Sequence, residues 1–201
     1  RKYYPLNKVP AKFQLVDKEI QQVHAIMGKA TYGYKSEKRM IAALLTQVLG
    51  EGSSSRLFQS VREKNGIAYQ VNSFLNSFYD ISSFGVYFST NEKMMDKAFN
   101  LVSRELKKLK DTKISDRELN KAKESVKGNM LLSLENTSNR MIRMAQSELY
   151  HNRVKTTEEV IKQIDAVSAE DIYEIADDLL DESTYIKVII KSKNALLKTT
   201  A

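Results

Sequence analysis

The sequence contains no cysteine and only two histidines among its 201 residues. Without cysteine the chain can form no disulfide, no thiolate zinc site and no cysteine nucleophile. Such a composition fits a reducing compartment such as the cytoplasm. There is also no run of about 18 apolar residues, so the sequence predicts no membrane-spanning helix and no membrane partner. The N-terminus lacks the apolar core of a signal peptide.

The two histidines do not form a recognisable zinc site. Catalytic zinc is commonly held by two histidines at i and i+4 on one helix, with a carboxylate nearby. His24 and His151 lie on separate predicted elements far apart in the sequence, and we interpret both as structural. We therefore assign no metal ligand and no cofactor to this chain. Gly50-x-Gly52 lacks both the lysine of a phosphate-binding loop and the full dinucleotide fingerprint.

The chain carries a formal net charge of +7. Its basic residues occur in local clusters, such as Arg104 to Lys108 and Lys191 to Lys193, without interleaved aromatics. This pattern does not predict a nucleic-acid partner, and a solvated basic surface is the favoured interpretation. The alternative is a surface that attracts acidic peptides or polyanions, whose binding should fall steeply with salt.

Both prolines, Pro5 and Pro10, fall within the first 16 residues, where apolar periodicity is weak. We interpret residues 1–16 as a linker from a missing upstream domain, residues 17–194 as one domain and residues 195–201 as a tail. Because the first residue is not methionine, we expect the chain to be part of a longer protein.

Local patterns predict strands and helices in the order β-α-α-β-β-α-α-α-α-α-β. The predicted elements are a strand within 19–32, helices at 36–50 and 53–66, strands at 67–75 and 81–89, helices that begin near 91, 115, 138, 156 and 168, and a strand at 184–191. Few of these strands have the spacing that parallel crossovers need. The sequence therefore predicts an α+β fold in which helices pack on one face of an antiparallel sheet.

Three packing expectations accompany this fold. In the last strand the alternation predicts that Ile186, Val188 and Ile190 point inward and the lysines outward. Gly128, inside a helix, is expected to pack closely against a neighbour. The methionines of the helices are interpreted as core filler rather than as a binding groove; they are Met94, Met95, Met130, Met141 and Met144.

The most informative stretch runs from Gly50 to Val71, GEGSSSRLFQSVREKNGIAYQV. A glycine-flanked turn opens a helix, the helix ends at Gly66, and a strand begins at once. This order places Arg62, on the last helical turn, near Tyr69, at the start of the strand. A guanidinium and a phenol at such a corner could both donate hydrogen bonds to a peptide carbonyl or a developing oxyanion.

A structural interpretation of the same pair is favoured by the residues alone. Arg62 would then form an ion pair with Glu63 or Glu51, and Tyr69 would be an ordinary strand aromatic. The strand that follows could also bind an extended peptide if it forms a sheet edge, because its amides would be free. The residues expected to contact a peptide in this way are Gln70, Val71, Asn72 and Ser73.

Several motifs resemble one family of peptidases. The run LGEGSSSRLFQSVREKNGIAYQV is similar to the second, non-metal-binding half of the insulinase/pitrilysin-type zinc peptidases, in particular to processing-peptidase-like bacterial members. The similarity continues in the same order through QVHAIMG, Tyr79-Asp80, ISDRELNKAKESVKGNMLLSLENTSNRM and IDAVSAEDI. It covers about Lys18 to Ser192.

The resemblance implies a division of labour between two halves of a closed chamber. One half carries the zinc motif H-x-x-E-H and a distant Glu, and this motif is absent from the present chain. The other half supplies substrate contacts, and the resemblance places Arg62 and Tyr69 there as auxiliary catalytic residues. It also implies an α+β half-domain with an antiparallel sheet. The implied partners are the catalytic half, on the same polypeptide or a partner subunit, and a peptide substrate; a homodimer is a further option.

The implied mechanism is zinc-assisted hydrolysis of a peptide that is held as an added strand. Zinc and a Glu of the missing half would activate water, while Arg62 and Tyr69 would fix the peptide and stabilise charge on its carbonyl oxygen. By itself the chain has no complete catalytic site.

Two other functions stay open at this point. In a non-catalytic relative both halves would have lost the chemistry and would serve as a structural or chaperone-like subunit. An independent polyanion-binding module would instead depend on the net charge. The presence of Arg62 and Tyr69 favours the substrate-binding half of a peptidase.

Overall fold

The computed structural model describes residues 10–192, which form one sheet covered by helices on one face. The strands are β1 (Lys12–Lys18), β2 (Val23–Tyr32), β3 (Ala68–Ser77), β4 (Ile81–Thr90) and β5 (Ile186–Ser192). The helices are α1 (Lys38–Gly50), α2 (Met95–Asp111), α3 (Asp116–Glu135), α4 (Thr137–His151), α5 (Thr157–Ala166) and α6 (Ala169–Leu179), with a π-helical turn at Phe58–Glu63.

The sheet has the strand order β1-β5-β2-β4-β3. The pairs β5–β2, β2–β4 and β4–β3 are antiparallel, as predicted, whereas β1 runs parallel to β5 with Lys12 opposite Ile186. The α+β fold is thus confirmed, with one parallel edge strand added to an otherwise antiparallel sheet.

The linker predicted over residues 1–16 is wrong for the part that enters β1. Lys12–Lys18 pairs along its whole length with β5, which lies at the other end of the chain. Its side chains are almost all exposed, so no burial pattern in the sequence marks it as a strand. Residues 1–9 of the predicted linker and the predicted tail at 195–201 lie outside the described residues.

One face of the sheet is buried under the helices. Met27 of β2 and Phe84 and Phe88 of β4 are among the fully buried side chains, and they pack with Leu44 and Leu45 of α1. Each contributes about 1.5–3 kcal/mol through removal of apolar surface from water. The opposite face, which carries Ile26, Ser83 and Val188, is only partly buried by the described residues.

The predicted orientation of β5 is wrong. Ile189 is the buried residue of this strand, whereas Ile186, Val188 and Ile190 lie on the opposite, partly exposed face. Lys187 lies on the same side of the strand as Ile189, and its Nζ atom lies 3.1 Å from Glu182. TYIKVIIK has apolar residues on both faces, so its alternation alone does not say which face is covered.

The methionines of α4 are not core filler. Met141 is 65% exposed and Met144 51% exposed, and Leu131 and Leu132 on α3 are exposed beside them in the chain. The expectation for Gly128 also fails, since a Cβ built there would meet no atom within 4 Å. The α3–α4 hairpin therefore presents uncovered apolar side chains in the described structure.

A polar clamp joins β2 to α6. Lys29 Nζ donates to Asp178 Oδ1 at 2.8 Å, and the Tyr32 hydroxyl donates to Asp178 Oδ2 at 2.9 Å. Burial opposes ionisation of Asp178, but the two hydrogen bonds and the charge of Lys29 outweigh it and lower the pKa of this carboxyl. Burial and the Asp178 carboxylate raise the pKa of Tyr32 to about 12.

Asp178→Asn is expected to lower the free energy of unfolding at neutral pH by about 1 kcal/mol, a modest effect because the Asp178 side chain is 57% exposed. A lowered pKa stabilises the fold above the ordinary carboxyl pKa of about 4, and this contribution is lost as pH falls through the lowered value. Urea unfolding at a series of pH values should show the difference from wild type closing under acid conditions. The matched control is Asp17→Asn, which changes an exposed carboxylate that has no ion pair in the described chain. If the difference in unfolding free energy between wild type and Asp178→Asn stays constant with pH, the clamp is contradicted.

Candidate functional site

The site begins with the turn that follows α1. Gly52 has φ +81°, a conformation that glycine adopts without strain. The Ser55 hydroxyl and amide both donate to the Gly52 carbonyl, at 2.8 and 3.2 Å. Gln59 Nε2 donates to the Ser53 carbonyl at 2.7 Å. These bonds connect the glycine turn to the π-helical turn that carries Arg62.

Gly50 seats the end of α1 directly on β3. A Cβ at this position would collide with the backbone nitrogen of Ser73 and would lie 2.7 Å from its Oγ. The Ser73 hydroxyl in turn donates to the Thr46 carbonyl of α1 at 2.7 Å. The glycine of the LGEG motif is thus required by a close approach of two backbones.

Arg56 anchors the same turn to α3 in a way that sequence reasoning missed. Its Nε and Nη2 atoms donate to Glu118 Oε1 and Oε2 at 2.7 and 2.8 Å, a bidentate arrangement. Ser115 and Glu118 have the sequence spacing of a capping box, but only the Ser115 oxygen takes part, at 3.2 Å from the Glu118 amide. The Glu118 carboxylate bonds Arg56 instead. Arg56 and Glu118 are 62 residues apart in the sequence, so no local pattern predicts that they pair.

Gly66 terminates the helical segment that carries Arg62, as predicted. Gly66 has φ +60°, and its amide donates to the Arg62 carbonyl at 2.9 Å, inside a wider bond from the Ile67 amide to the Val61 carbonyl at 3.1 Å. Nested bonds of this kind are typical of glycine-ended helices. Val61 and Ile67 are both buried in the core, and their packing holds the corner between the helix and the strand in place.

Arg62 projects from this corner into solvent. Its guanidinium carbon lies 5.1 Å from the centre of the Phe58 ring, a weak cation–π contact at an exposed site. Across residues 10–192, no carboxylate lies within 4.0 Å of it. The ion pair with Glu51 or Glu63 that the structural interpretation required is therefore not formed.

Tyr69 stands at an irregularity in β3. Ala68 pairs with Thr90 and Gln70 pairs with Ser89, so Tyr69 is the extra residue of a bulge. Bulges redirect a side chain and are common next to active sites. The Tyr69 side chain is 56% exposed, and no hydrogen bond joins it to Arg62. Arg62 and Tyr69 thus lie on either side of the turn between the π-helical turn and β3, and both side chains are exposed.

Among the described strands β3 pairs only with β4, so it lies at the edge of the sheet. Gln70 is exposed and Asn72 is half-buried on the face that the helices leave uncovered. Val71 and Ser73 are buried toward the helices. Their side chains are therefore not available to a peptide, and only their backbone could take part in strand pairing.

No group of three or more His, Asp or Glu side chains within 10–192 is placed to hold a metal ion. None of the helices described there is long and apolar enough to cross a membrane.

Comparison with known proteins agrees with this architecture. Residues 2–126 match the family described as the peptidase M16 inactive domain. The uncharacterized zinc protease YmxG of Bacillus subtilis is 34% identical over 177 residues, a match that covers 88% of this chain and 43% of YmxG. An uncharacterized zinc protease of Streptomyces coelicolor is 30% identical over 190 residues, which covers 94% of this chain and 41% of the relative.

The fold is also shared with a solved structure. A crystal structure of a peptidase M16 inactive domain from Pseudomonas fluorescens superimposes with a TM-score of 0.81 at 18% identity, over 92% of this chain and 44% of that one. The fold therefore defines an α+β domain in which a helix ended by glycine leads into a bulged edge strand. The described residues of this domain contain no cluster suited to a metal ion. The chain belongs to the peptidase M16 inactive-domain family, and it spans less than half the length of the two relatives.

Proposed function

We propose that this chain is the substrate-contacting, non-catalytic domain of a zinc-dependent endopeptidase. The observation that carries the proposal is the corner of Arg62 and Tyr69, where two hydrogen-bond donors are exposed, unpaired with any carboxylate in the described structure, and fixed to a rigid turn. In the proposed enzyme, zinc and the general base belong to a separate catalytic domain. That domain lies on the same polypeptide or on a partner subunit.

The edge of β3 provides a second support. A peptide could add to this edge through backbone hydrogen bonds from Gln70 to Ser73, while the side chains of Gln70 and Asn72 contact it from the uncovered face. Tyr69 at the bulge and Arg62 beside it would then stand at one end of the bound peptide. Donors fixed in advance stabilise charge that develops on a reacting carbonyl oxygen better than water does.

The exposed apolar side chains of α3 and α4 support the presence of a partner domain. Leu132 and Met141 are more than half exposed, and exposed apolar patches commonly mark interaction sites. Methionine adapts to irregular surfaces, which suits a domain contact. We propose that the catalytic domain covers this apolar surface. The two relatives are more than twice as long as this chain, which leaves room for such a domain.

Reconstitution tests this function. The chain is mixed with a zinc-loaded domain that carries H-x-x-E-H, from the same polypeptide or its partner subunit, and cleavage of an unstructured peptide is followed. We expect cleavage by the mixture that neither part gives alone, and its loss when zinc is removed with a chelator. If a folded, tightly associated mixture never cleaves a peptide, the chain is instead a structural or chaperone-like subunit.

A further inference from the structure

A second cluster of polar side chains lies at the other end of β3, where the β3–β4 turn meets the end of α4. The Tyr34 ring lies 4.8 Å from the Tyr150 ring and 5.6 Å from the His151 ring, centre to centre. Tyr79, just after β3, has its ring 5.4 Å from that of Tyr150. These aromatic rings form a wall that joins the loop before α1 to the last turn of α4.

Basic side chains are stacked on this wall. The Arg39 guanidinium carbon lies 4.0 Å from the centre of the Tyr34 ring, and Lys35 Nζ lies 4.8 Å from the centre of the Tyr79 ring. Arg39 Nε is buried and has no hydrogen-bond acceptor. A buried donor without an acceptor is costly, so an acceptor supplied by a ligand would stabilise it.

A small cavity of about 180 Å³ continues the cluster along α4. Arg140, Arg143 and Lys155 line it together with apolar Met144 and Val154. Arg143 Nη1 lies 3.5 Å from the Thr157 hydroxyl, whereas its Nη2 atom is buried without a partner. The cavity is therefore a second place where a buried guanidinium nitrogen lacks an acceptor.

The basic patch formed by Lys35, Arg39, Arg143, His151 and Lys155 is not neutralised. In the described part of the chain, no carboxylate lies within 4.0 Å of any of these side chains; the nearby Glu159 pairs with Arg153 at 2.8 Å. Burial, Lys155 and Lys35 lower the pKa of His151. Burial and the charges of Arg153 and Arg39 lower the pKa of Lys155, with Glu159 opposing. The positive charges destabilise one another, and an anion would relieve this.

We propose that the basic patch binds acidic side chains of a peptide. Each of the Arg39 and Arg143 guanidinium groups has one nitrogen without an acceptor, and carboxylates accept strong, charge-assisted hydrogen bonds from arginine. The tyrosine wall and the methionine and valine of the cavity suit the aliphatic part of a glutamate, and the cavity volume admits a side chain rather than a helical nucleic acid.

The position of the patch connects it to the edge strand. β3 runs from Tyr69 at one end toward Tyr79 beyond the other, a span of about 30 Å at ~3.3 Å per residue. A peptide paired along β3 would therefore reach the basic patch about nine residues from the corner of Arg62 and Tyr69. This step rests on the proposed function: it predicts that the enzyme prefers substrates with acidic residues at that distance from the cleaved bond.

Binding can be measured on the 201-residue chain without any cleavage, by NMR of the ring protons of its two histidines. We titrate the chain with a short blocked peptide rich in glutamate, and with the same peptide carrying glutamine instead. The glutamate peptide should shift the His151 signal in a saturable way and leave His24, which bonds Tyr87 on β4, unchanged. The glutamine peptide should bind about tenfold more weakly or not at all.

Variants distinguish binding at the basic patch from non-specific attraction to the positive charge of the chain. Lys155→Ala and Arg143→Gln should each weaken binding of the glutamate peptide by about tenfold, whereas Lys97→Ala, which removes one exposed charge on α2, should leave it unchanged. Equal binding of the two peptides, or an equal loss in all three variants, would overturn the proposal. Tighter binding of inorganic phosphate than of the glutamate peptide would overturn it as well, in favour of a free-anion site.

A cleavage experiment distinguishes this inference from the proposed function. In the reconstituted enzyme, Lys155→Ala should lower kcat/KM for a substrate with a distal acidic segment and leave a neutral substrate unaffected. If both substrates are cleaved alike by wild type and variant, the link to β3 fails while the peptidase assignment stands. If cleavage is never reconstituted, the NMR titration still decides whether the patch binds acidic peptides.

Discussion

Replacing Tyr69 with phenylalanine is expected to lower kcat/KM for peptide cleavage by about 100-fold in the reconstituted two-domain enzyme. Loss of one preorganised donor to a developing oxyanion commonly has an effect of this size. The loss should fall mainly on kcat, because the hydroxyl acts on the transition state more than on the bound substrate. The thermal midpoint of the chain should not change, since the exposed Tyr69 side chain has no hydrogen bond in the described structure.

Two companion variants make the prediction specific. Tyr173→Phe removes a hydroxyl from a partly exposed tyrosine on α6 and should leave cleavage unaffected. Arg62→Ala should lower kcat/KM by a factor comparable to Tyr69→Phe, and Arg62→Lys should restore only part of it because a point charge lacks the planar fork. If Tyr69→Phe and Tyr173→Phe cleave as well as wild type, the corner has a structural role only.

The second large effect is expected at Gly50. Gly50→Ala should lower the free energy of unfolding by about 3 kcal/mol, at the upper end of the usual range for overpacking. The added methyl would meet the backbone nitrogen of Ser73, and neither α1 nor β3 can withdraw without loss of the Ser73–Thr46 hydrogen bond. Urea unfolding followed by circular dichroism measures the change.

Gly128→Ala is the matched control with the opposite sign. Gly128 lies inside α3 with open space where the methyl would go, so alanine should raise stability by about 1 kcal/mol through its higher helix propensity. A Gly50→Ala chain as stable as wild type would show that α1 and β3 do not approach as closely as described.

Features that depend on neighbouring residues were predictable from the sequence. The termination of the helical segment before β3 follows from Gly66, a residue that tolerates a positive φ. Capping boxes form at Thr156 with Glu159 and at Ser168 with Asp171, where the three-residue spacing of a box is visible in the sequence. The hairpin of β3 and β4 and the Arg62–Tyr69 corner arise within one continuous stretch of chain. In these places local geometry determines the structure.

Features that depend on distant partners were not predictable. β1 is stabilised by pairing with a strand at the opposite end of the chain, and a few exposed residues do not reveal it. The facing of β5 depends on which side of the sheet the distant helices cover, and Ile189 is the residue buried on that side. Glu118 bonds Arg56 rather than completing a capping box, because a charged bidentate partner is stronger than a backbone amide. The basic patch likewise gathers residues from the β2–α1 loop, the first turn of α1, α4 and the segment after α4.

The affinity of a phosphinic peptide, whose tetrahedral centre imitates the hydrated carbonyl, tests the role of the corner most directly. In the reconstituted enzyme, Tyr69→Phe should weaken binding of this inhibitor by about the factor by which it lowers kcat/KM, while affinity for the uncleaved substrate changes little. Such a match would show that Tyr69 acts on the transition state. Unchanged inhibitor affinity in both Tyr69→Phe and Arg62→Ala would contradict the proposal that this domain contacts the reacting peptide.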